Sequence, residues 1–429
     1  MHGRHALPSE SIPPMPTPPP SATDPGTRIA FVVELAAQLH AYGTTAQRLE
    51  GAVVAVAQQL GMHCDAWSNP TGLILSFAPA DAAPQEDSVT RVIRLAPGET
   101  DLQRLAEADR IAERVLAGTL DVESGFQALR ALQRAQTGRQ RAMQLLGFGL
   151  ASAAVAGLLR LPWLDIGVAS ATGLLIGALH DASLRRPQLR EAGEALAGML
   201  AGMLAVAVAA WVAPINLNTV IIASLIVLLP GLSLTNAVNE LASQHLASGT
   251  ARFAGALTTV LKLTVGTVIA LKIAEFSGWQ LQVRAWRPQP WWVEAVALLL
   301  AGYAFAVLFR AGRRDYPLVM LAAIGGYLVS RGADLRWGSP SGIFLSALLG
   351  TAAGNAYARW ANRPGALVRV PGLIMLVPGS AALRGFMALV QQGDMAAGEQ
   401  SLLLVLEILL ALIAGLLFGN LLCPARRHL

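Results

Sequence analysis

The 429-residue chain is 54% hydrophobic and 14% charged with a mean hydropathy of +0.50, which excludes a soluble globular protein and reads as a membrane protein. Its formal net charge of +5 does not point to nucleic acid, because the arginines sit at the ends of apolar segments, where membrane topology places them. Two distant cysteines, Cys64 and Cys423, offer neither a disulfide framework nor a zinc-ligand spacing, and no cofactor is expected.

Residues 1–26 are rich in proline, serine and threonine and cannot bury enough surface to fold, so a disordered tail is expected. No basic region followed by an apolar core precedes the first spans, so no cleavable signal peptide is expected. Residues 27–139 read as a small cytoplasmic α+β domain. Helical apolar spacing runs from Arg28 to Leu60, with a break near Gly43 and a stop at Gly61. Residues 71–77 and 89–95 are β-like runs either side of a turn-rich stretch, 79–87. Residues 101–116 and 122–136 read as amphipathic helices. His40, His63, Cys64 and Asp65 fall in no catalytic spacing, and no phosphate loop or nucleotide fingerprint is visible, so the chain is not expected to be an enzyme or an ATP-driven pump.

Ten spans follow, at about 143–161, 164–180, 192–211, 218–243, 252–276, 291–310, 315–332, 339–360, 366–391 and 400–423. The fourth and ninth contain a repeated heptapeptide: residues 225–231, Leu-Ile-Val-Leu-Leu-Pro-Gly, return as residues 373–379, Leu-Ile-Met-Leu-Val-Pro-Gly. The offset of 148 lays residues 143–276 on 291–424 without a gap, five spans on five. Five is odd, so the second half (291–429, after a linker at 277–290) enters the membrane from the opposite side to the first (140–276). The expected fold is therefore a polytopic helical membrane protein built as two inverted repeats, the plan of many secondary transporters. Arginines orient it. With residues 27–139 cytoplasmic, inner loops carry Arg185, Arg186, Arg190, Arg310, Arg313, Arg314, Arg359, Arg363, Arg369, Arg426 and Arg427. Outer loops carry Arg160, Arg284, Arg287, Arg331 and Arg336. Both termini are then cytoplasmic.

Pro230-Gly231 and Pro378-Gly379 should break their helices, since proline removes a backbone hydrogen bond and crowds the preceding turn. Broken backbone in lipid must be buried in protein or line a wet cavity, so two equivalent breaks are expected to meet near the midplane. The half-helices after them, at Ser233 and Ser380, would offer free N–H groups to a carboxylate; a kinked helix that merely packs is the alternative. Thr235, Asn236 and Asn239 follow the first break, and Arg384 follows the second as a possible anion ligand or a snorkelling side chain. The only two lysines are Lys262 and Lys272; Lys262 lies near the centre of the fifth span with Thr258, Thr259 and Gly266 on its face. Lys262, Glu240 and Glu407 are candidates for proton coupling or for structural ion pairs.

These residues resemble the bacterial threonine/serine exporter family over nearly the whole chain after residue 27. The resemblance is carried by Gly43-Thr44-Thr45-Ala46-Gln47-Arg48-Leu49-Glu50, Asn69-Pro70-Thr71-Gly72, Thr90-Arg91-Val92, Leu229-Pro230-Gly231 with Thr235-Asn236 and Glu240, Ser248-Gly249 with Arg252, Val370-Pro371-Gly372, and Leu376-Val377-Pro378-Gly379-Ser380. It implies export of threonine and serine across the bacterial inner membrane, driven by protons, by a fused form of the family. It departs from the pattern at Gly255, where the family carries an acidic residue. Export of small dicarboxylates, as in split relatives, is an alternative, and so are a membrane-anchored enzyme and a scaffold. Ten spans with paired breaks favour transport, with a small-molecule substrate, protons and lipid as partners and a homo-oligomer possible.

Overall fold

The computed structural model describes residues 24–80, 88–280, 282, 288–392 and 395–425. The expected tail up to residue 23, the turn at 81–87 and the side chains Arg284, Arg287, Arg426 and Arg427 lie outside the described residues.

The N-terminal module starts with α1 (Pro25–Ala41) and α2 (Ala46–Gln59). Gly43, at φ +79°, turns the chain between them, and Gly61, at φ +76°, ends α2. An antiparallel sheet follows in the order β1 (Met62–Asn69), β2 (Gly72–Pro79) and β3 (Val89–Arg94). The β1–β2 turn is tied by Asn69 Oδ1, which accepts from Thr71 N and Thr71 Oγ1, both at 2.9 Å. β1 is absent from the expected elements because His63, Asp65 and Ser68 interrupt its apolar residues; in the sheet Met62 and Cys64 point inward and His63 and Asp65 outward. α3 (Leu102–Leu116) and α4 (Val122–Ala131) begin at Asp101 and Asp121, whose carboxylates accept from Arg104 N at 2.9 Å and Ser124 N at 2.8 Å. Phe31, Leu35, Leu49, Val53, Leu75, Phe77 and Leu129 are buried together in one core.

The remaining helices are α5 (Gly138–Leu158), α6 (Trp163–Arg185), α7 (Pro187–Trp211), α8 (Leu217–Ser224), α9 (Gly231–Ala242) and α10 (Leu246–Phe276). They are followed by α11 (Trp291–Leu308), α12 (Tyr316–Trp337), α13 (Ser339–Ala361), α14 (Ala366–Ile374), α15 (Gly379–Met387) and α16 (Met395–Leu422). Each of the ten expected segments is occupied by helix. Among the described residues, eight spans are long and apolar enough to cross a membrane, one of them running from Ala366 to Val390, and α8–α9 makes a ninth if it counts as one span bent by 56°. The protein is thus polytopic. α13 falls short in apolarity because it carries Ser346, Thr351 and Asn355, all three buried in the bundle. Small residues bring backbones together: a Cβ on Gly266 of α10 would lie 1.9 Å from Ala195 O of α7.

The two halves repeat each other element by element, α5 to α10 against α11 to α16. Where they meet, α5 and α11 run antiparallel: a Cβ on Gly157 would fall 2.8 Å from that of Ala297, and one on Gly147 would fall 3.2 Å from Val307 and Leu308. The N-terminal module docks on the bundle through backbone bonds from Leu102 N to Phe309 O (2.9 Å) and Gln103 N to Arg310 O (3.2 Å), with Asn362 Nδ2 donating to Glu113 at 3.1 Å.

Candidate functional site

Proline fixes both breaks in the same way. Leu229 is extended, as a residue before proline should be. Pro230 then begins α9 at φ −82°, ψ 37°, and Pro378 begins α15 at φ −82°, ψ 17°. The first helical bonds are Leu234 N to Pro230 O and Ala382 N to Pro378 O, both at 2.9 Å, so three N–H groups on each half-helix have no partner within the helix. The breaks touch each other reciprocally. A Cβ on Gly231 would fall 2.5 Å from Val377 Cγ2 and 3.1 Å from Gly379 N; one on Gly379 would fall 3.0 Å from Leu229 Cβ and 3.2 Å from Gly231 N. The contact is reciprocal, each glycine facing the backbone of the other break. It also leaves no space for a ligand directly between the breaks, where the sequence places one; in this conformation that gap is closed. Thr235 is buried and donates to Gly231 O at 3.1 Å, stabilising the first turn of α9.

Beside the closed gap lies a cavity of about 80 Å³. Leu232 and Asn236 reach it from α9, Arg369 and Val370 from α14, and Tyr42, Thr44 and Arg48 from the N-terminal module. Ser233, Asn239 and Ser380 are half-buried and do not line it. Arg48 Nη2 donates to Asn355 Oδ1 of α13 at 3.2 Å, and burial lowers its guanidinium to about 10, leaving it charged at neutral pH.

Glu240 holds the module against the bundle. Its side chain is fully buried; Oε1 accepts from Ala46 N and Arg252 Nη2, each at 3.0 Å, and Oε2 from Ser248 Oγ at 2.9 Å and Arg252 Nε at 3.0 Å. The bidentate guanidinium and the first turn of α2 thus share one carboxylate. Next to it, Glu50 pairs with His245 at 3.1 Å and accepts from Ser68 N at 2.7 Å. Burial raises the Glu50 carboxyl, and the Ser68 and His245 bonds pull it back.

The other expected residues stand apart. Arg384 lies on the exposed side of α15 and makes no hydrogen bond or ion pair among the described residues. Lys262 Nζ donates to Glu191 O at 2.9 Å and lies 3.5 Å from the Glu194 carboxylate, on the first two turns of α7. It is at the middle of α10, as its sequence position suggests, and there it lies against the start of α7. Thr258 and Thr259 bond to carbonyls of their own helix. Glu407 is exposed on α16 among Leu403, Leu406 and Leu410. In the module, burial pushes the Cys64 thiol up to about 12, with Asp65 adding to the effect, so it is no nucleophile at neutral pH. Neither His245 nor Asn355 stood out in the sequence, Arg252 entered only as part of a motif block, and Arg369 only as an inner-loop arginine. Motif blocks containing Arg48, Glu50 and Arg252 were the available signal, but only the fold brings them together.

A bundle of apolar helices, two of its spans broken at equivalent prolines that meet in the interior, defines a polytopic membrane protein of the transporter class. The chain belongs to the threonine/serine exporter family. The ThrE model of that family matches residues 30–274, and a second, described as "Threonine/Serine exporter, ThrE", matches residues 294–422. A Mycobacterium tuberculosis protein named "Probable threonine/serine exporter" is 24% identical over 83% of this chain and 69% of its own length. The "Threonine/serine exporter" of Corynebacterium glutamicum is 24% identical over 95% of this chain and 85% of its own. No solved structure matches.

Proposed function

We propose that the protein exports small hydrophilic amino acids, threonine and serine, across the bacterial inner membrane as a proton-driven secondary transporter. The observation that carries this reading is the reciprocal contact of the Pro230-Gly231 and Pro378-Gly379 breaks at the joint between the halves. Two half-helices begin there, so a small rotation of one half against the other opens or closes the space beside them. That is the geometry alternating access needs. The substrate binds beside the breaks, with Ser233, Asn236, Asn239 and Ser380 available as the gap opens.

The transporter is read as ten spans in two inverted five-helix halves. The antiparallel run of equivalent helices α5 and α11 supports inversion. The side of the membrane is supported by the N-terminal module, read as a cytoplasmic α+β domain. It touches the bundle at Glu240 and His245, at Phe309 and Arg310, at Asn355 and at Asn362, all of which the ten-span count puts on one side. Trp163 with Trp292, and Trp211 with Trp279, pair at the opposite helix ends, as an interfacial belt would. Proton coupling is assigned to the charged joints Lys262–Glu194 and Glu240–Arg252.

Flux of radiolabelled threonine and serine in reconstituted vesicles tests the reading. Uptake into inside-out vesicles should follow an imposed pH gradient and stop when the gradient is collapsed. Flux indifferent to the gradient removes proton coupling, and absence of flux for both amino acids removes the export reading. Lys262→Met should still exchange substrate but no longer accumulate it.

A further inference from the structure

The cavity beside the breaks is built by both parts of the protein, and its chemistry is more specific than its size. Arg48 reaches it from α2 and Arg369 from α14, so two arginines line one small space. Arg48 has one partner, Asn355; Arg369 is half-buried and makes no hydrogen bond or ion pair among the described residues. Thr44 Oγ1 is buried with no hydrogen-bond partner among the described residues. Asn236 lines the same space from α9, one turn after the Pro230 break, and Asp109 lines it from α3. The walls between are apolar: Leu39, Leu232 and Leu373. A half-buried guanidinium side chain without a hydrogen bond, together with a buried hydroxyl without one, is costly unless a ligand completes them.

We infer that this cavity is the cytoplasm-facing binding station for a small zwitterionic α-amino acid, its carboxylate held by Arg369 and Arg48, its ammonium by Asp109, and its side-chain hydroxyl by Thr44 and Asn236. The inference rests on the export reading for its substrate class. The charges favour it: two guanidiniums and one carboxylate leave a single positive excess, which suits a ligand whose carboxylate is its strongest acceptor. The volume favours it too. At about 15 Å³ per water, 80 Å³ holds about five waters, the scale of serine or threonine and far below that of a nucleotide. The N-terminal module is therefore part of the binding site, because Thr44 and Arg48 belong to its turn and second helix. A ligand bridging Arg48 and Arg369 would tie the module to α14, five residues before the second break begins at Ile374 and Met375.

The test uses the full chain in lipid nanodiscs with L-threonine and L-serine as probes in calorimetric titration. Arg369→Gln is expected to weaken binding of both at least tenfold, and Arg369→Lys to recover part of the loss. Asn236→Asp, which places a second carboxylate against that of the ligand, is expected to weaken binding similarly and serves if Arg369→Gln does not fold. Ethanolamine, which lacks the carboxylate, should not bind. 3-Hydroxypropionate, which lacks the ammonium, should bind more weakly than serine in the wild type but equally with it in Asp109→Asn. Unchanged affinity in folded Arg369→Gln or Asn236→Asp overturns the site, and so does ethanolamine binding as tightly as serine. Vesicle flux separates this from the export reading. Wild-type flux with an unaltered KM in Arg369→Gln sinks the cavity and leaves export standing. Binding that depends on Arg369 without flux sinks export and leaves the cavity standing.

Discussion

Single residues at the joint between module and bundle carry disproportionate energy. Glu240 is fully buried and shared between Arg252, Ser248 and the backbone of Ala46. Removing one partner of such a pair strands the other charge, at a cost of about 3–5 kcal/mol. Glu240→Ala should therefore lower the thermal unfolding temperature sharply and expose α2 to protease; a melting curve and a proteolysis time course check both. Should Glu240 serve as a proton carrier alone, the variant would melt normally and lose only gradient-driven flux. His40 gives a pH signature. It is buried in α1 with Nε2 3.2 Å from Asn69 O, and burial lowers its pKa below 6.5, with Arg252 acting in the same direction against the backbone bonds. The unfolded chain then takes up the proton first as pH falls. Stability from this group is complete above the ordinary value of 6.5 and is lost on acidification through the lowered one. Hydrogen exchange in α1 and β1 should accelerate between pH 7.5 and 5.5 beyond the chemical trend, and His40→Gln should flatten that response.

Among elements, the paired breaks are the most constrained. Gly231 and Gly379 approach so closely that a side chain on either meets the other's backbone. Gly231→Val should cost about 1–3 kcal/mol as overpacking and hold the two half-helices apart, changing transport more than folding. Gly255→Val is the control, since nothing lies within 4 Å of a Cβ there. Flux and melting temperature measured for both variants decide the matter: equal effects would mean that the breaks are ordinary kinks. Lys262 shows how a neighbouring element sets a residue's meaning. It is at the middle of α10 as expected, but the element beside it is the start of α7, where Glu191 and Glu194 meet its ammonium.

For the whole molecule, the prediction is topological. If the chain crosses ten times with inverted halves, cysteines placed at Gly118 and Asn362 should react only with reagents inside the cell, and cysteines at Gly278 and Gly338 only with those outside. All four positions are turns between helices. Labelling of Gly338 and Asn362 from the same side would mean that α13, the least apolar of the long helices, does not cross, and would remove the inverted plan. The same experiment reports where the module sits, through Gly118.

Repetition, composition and proline chemistry are local properties, and they were legible in the chain itself. A 148-residue offset, ten helical segments, two equivalent breaks and the bend at Gly43 follow from residue order, because each depends on neighbours a few positions away. β1 escaped because alternating polar residues hide a strand whose inner face is Met62, Cys64, Ala66 and the polar Ser68. Tertiary structure alone decided which polar groups meet. Ala46 and Glu240 are separated by 194 residues, Arg48 and Asn355 by 307, and nothing in a linear pattern pairs them. Packing likewise closes the gap between the breaks in this conformation and leaves a cavity beside it that Arg369 lines, while Arg384 is exposed. Helix rotation and packing set which side of a span looks inward, and those are properties of the assembled bundle, not of the segment.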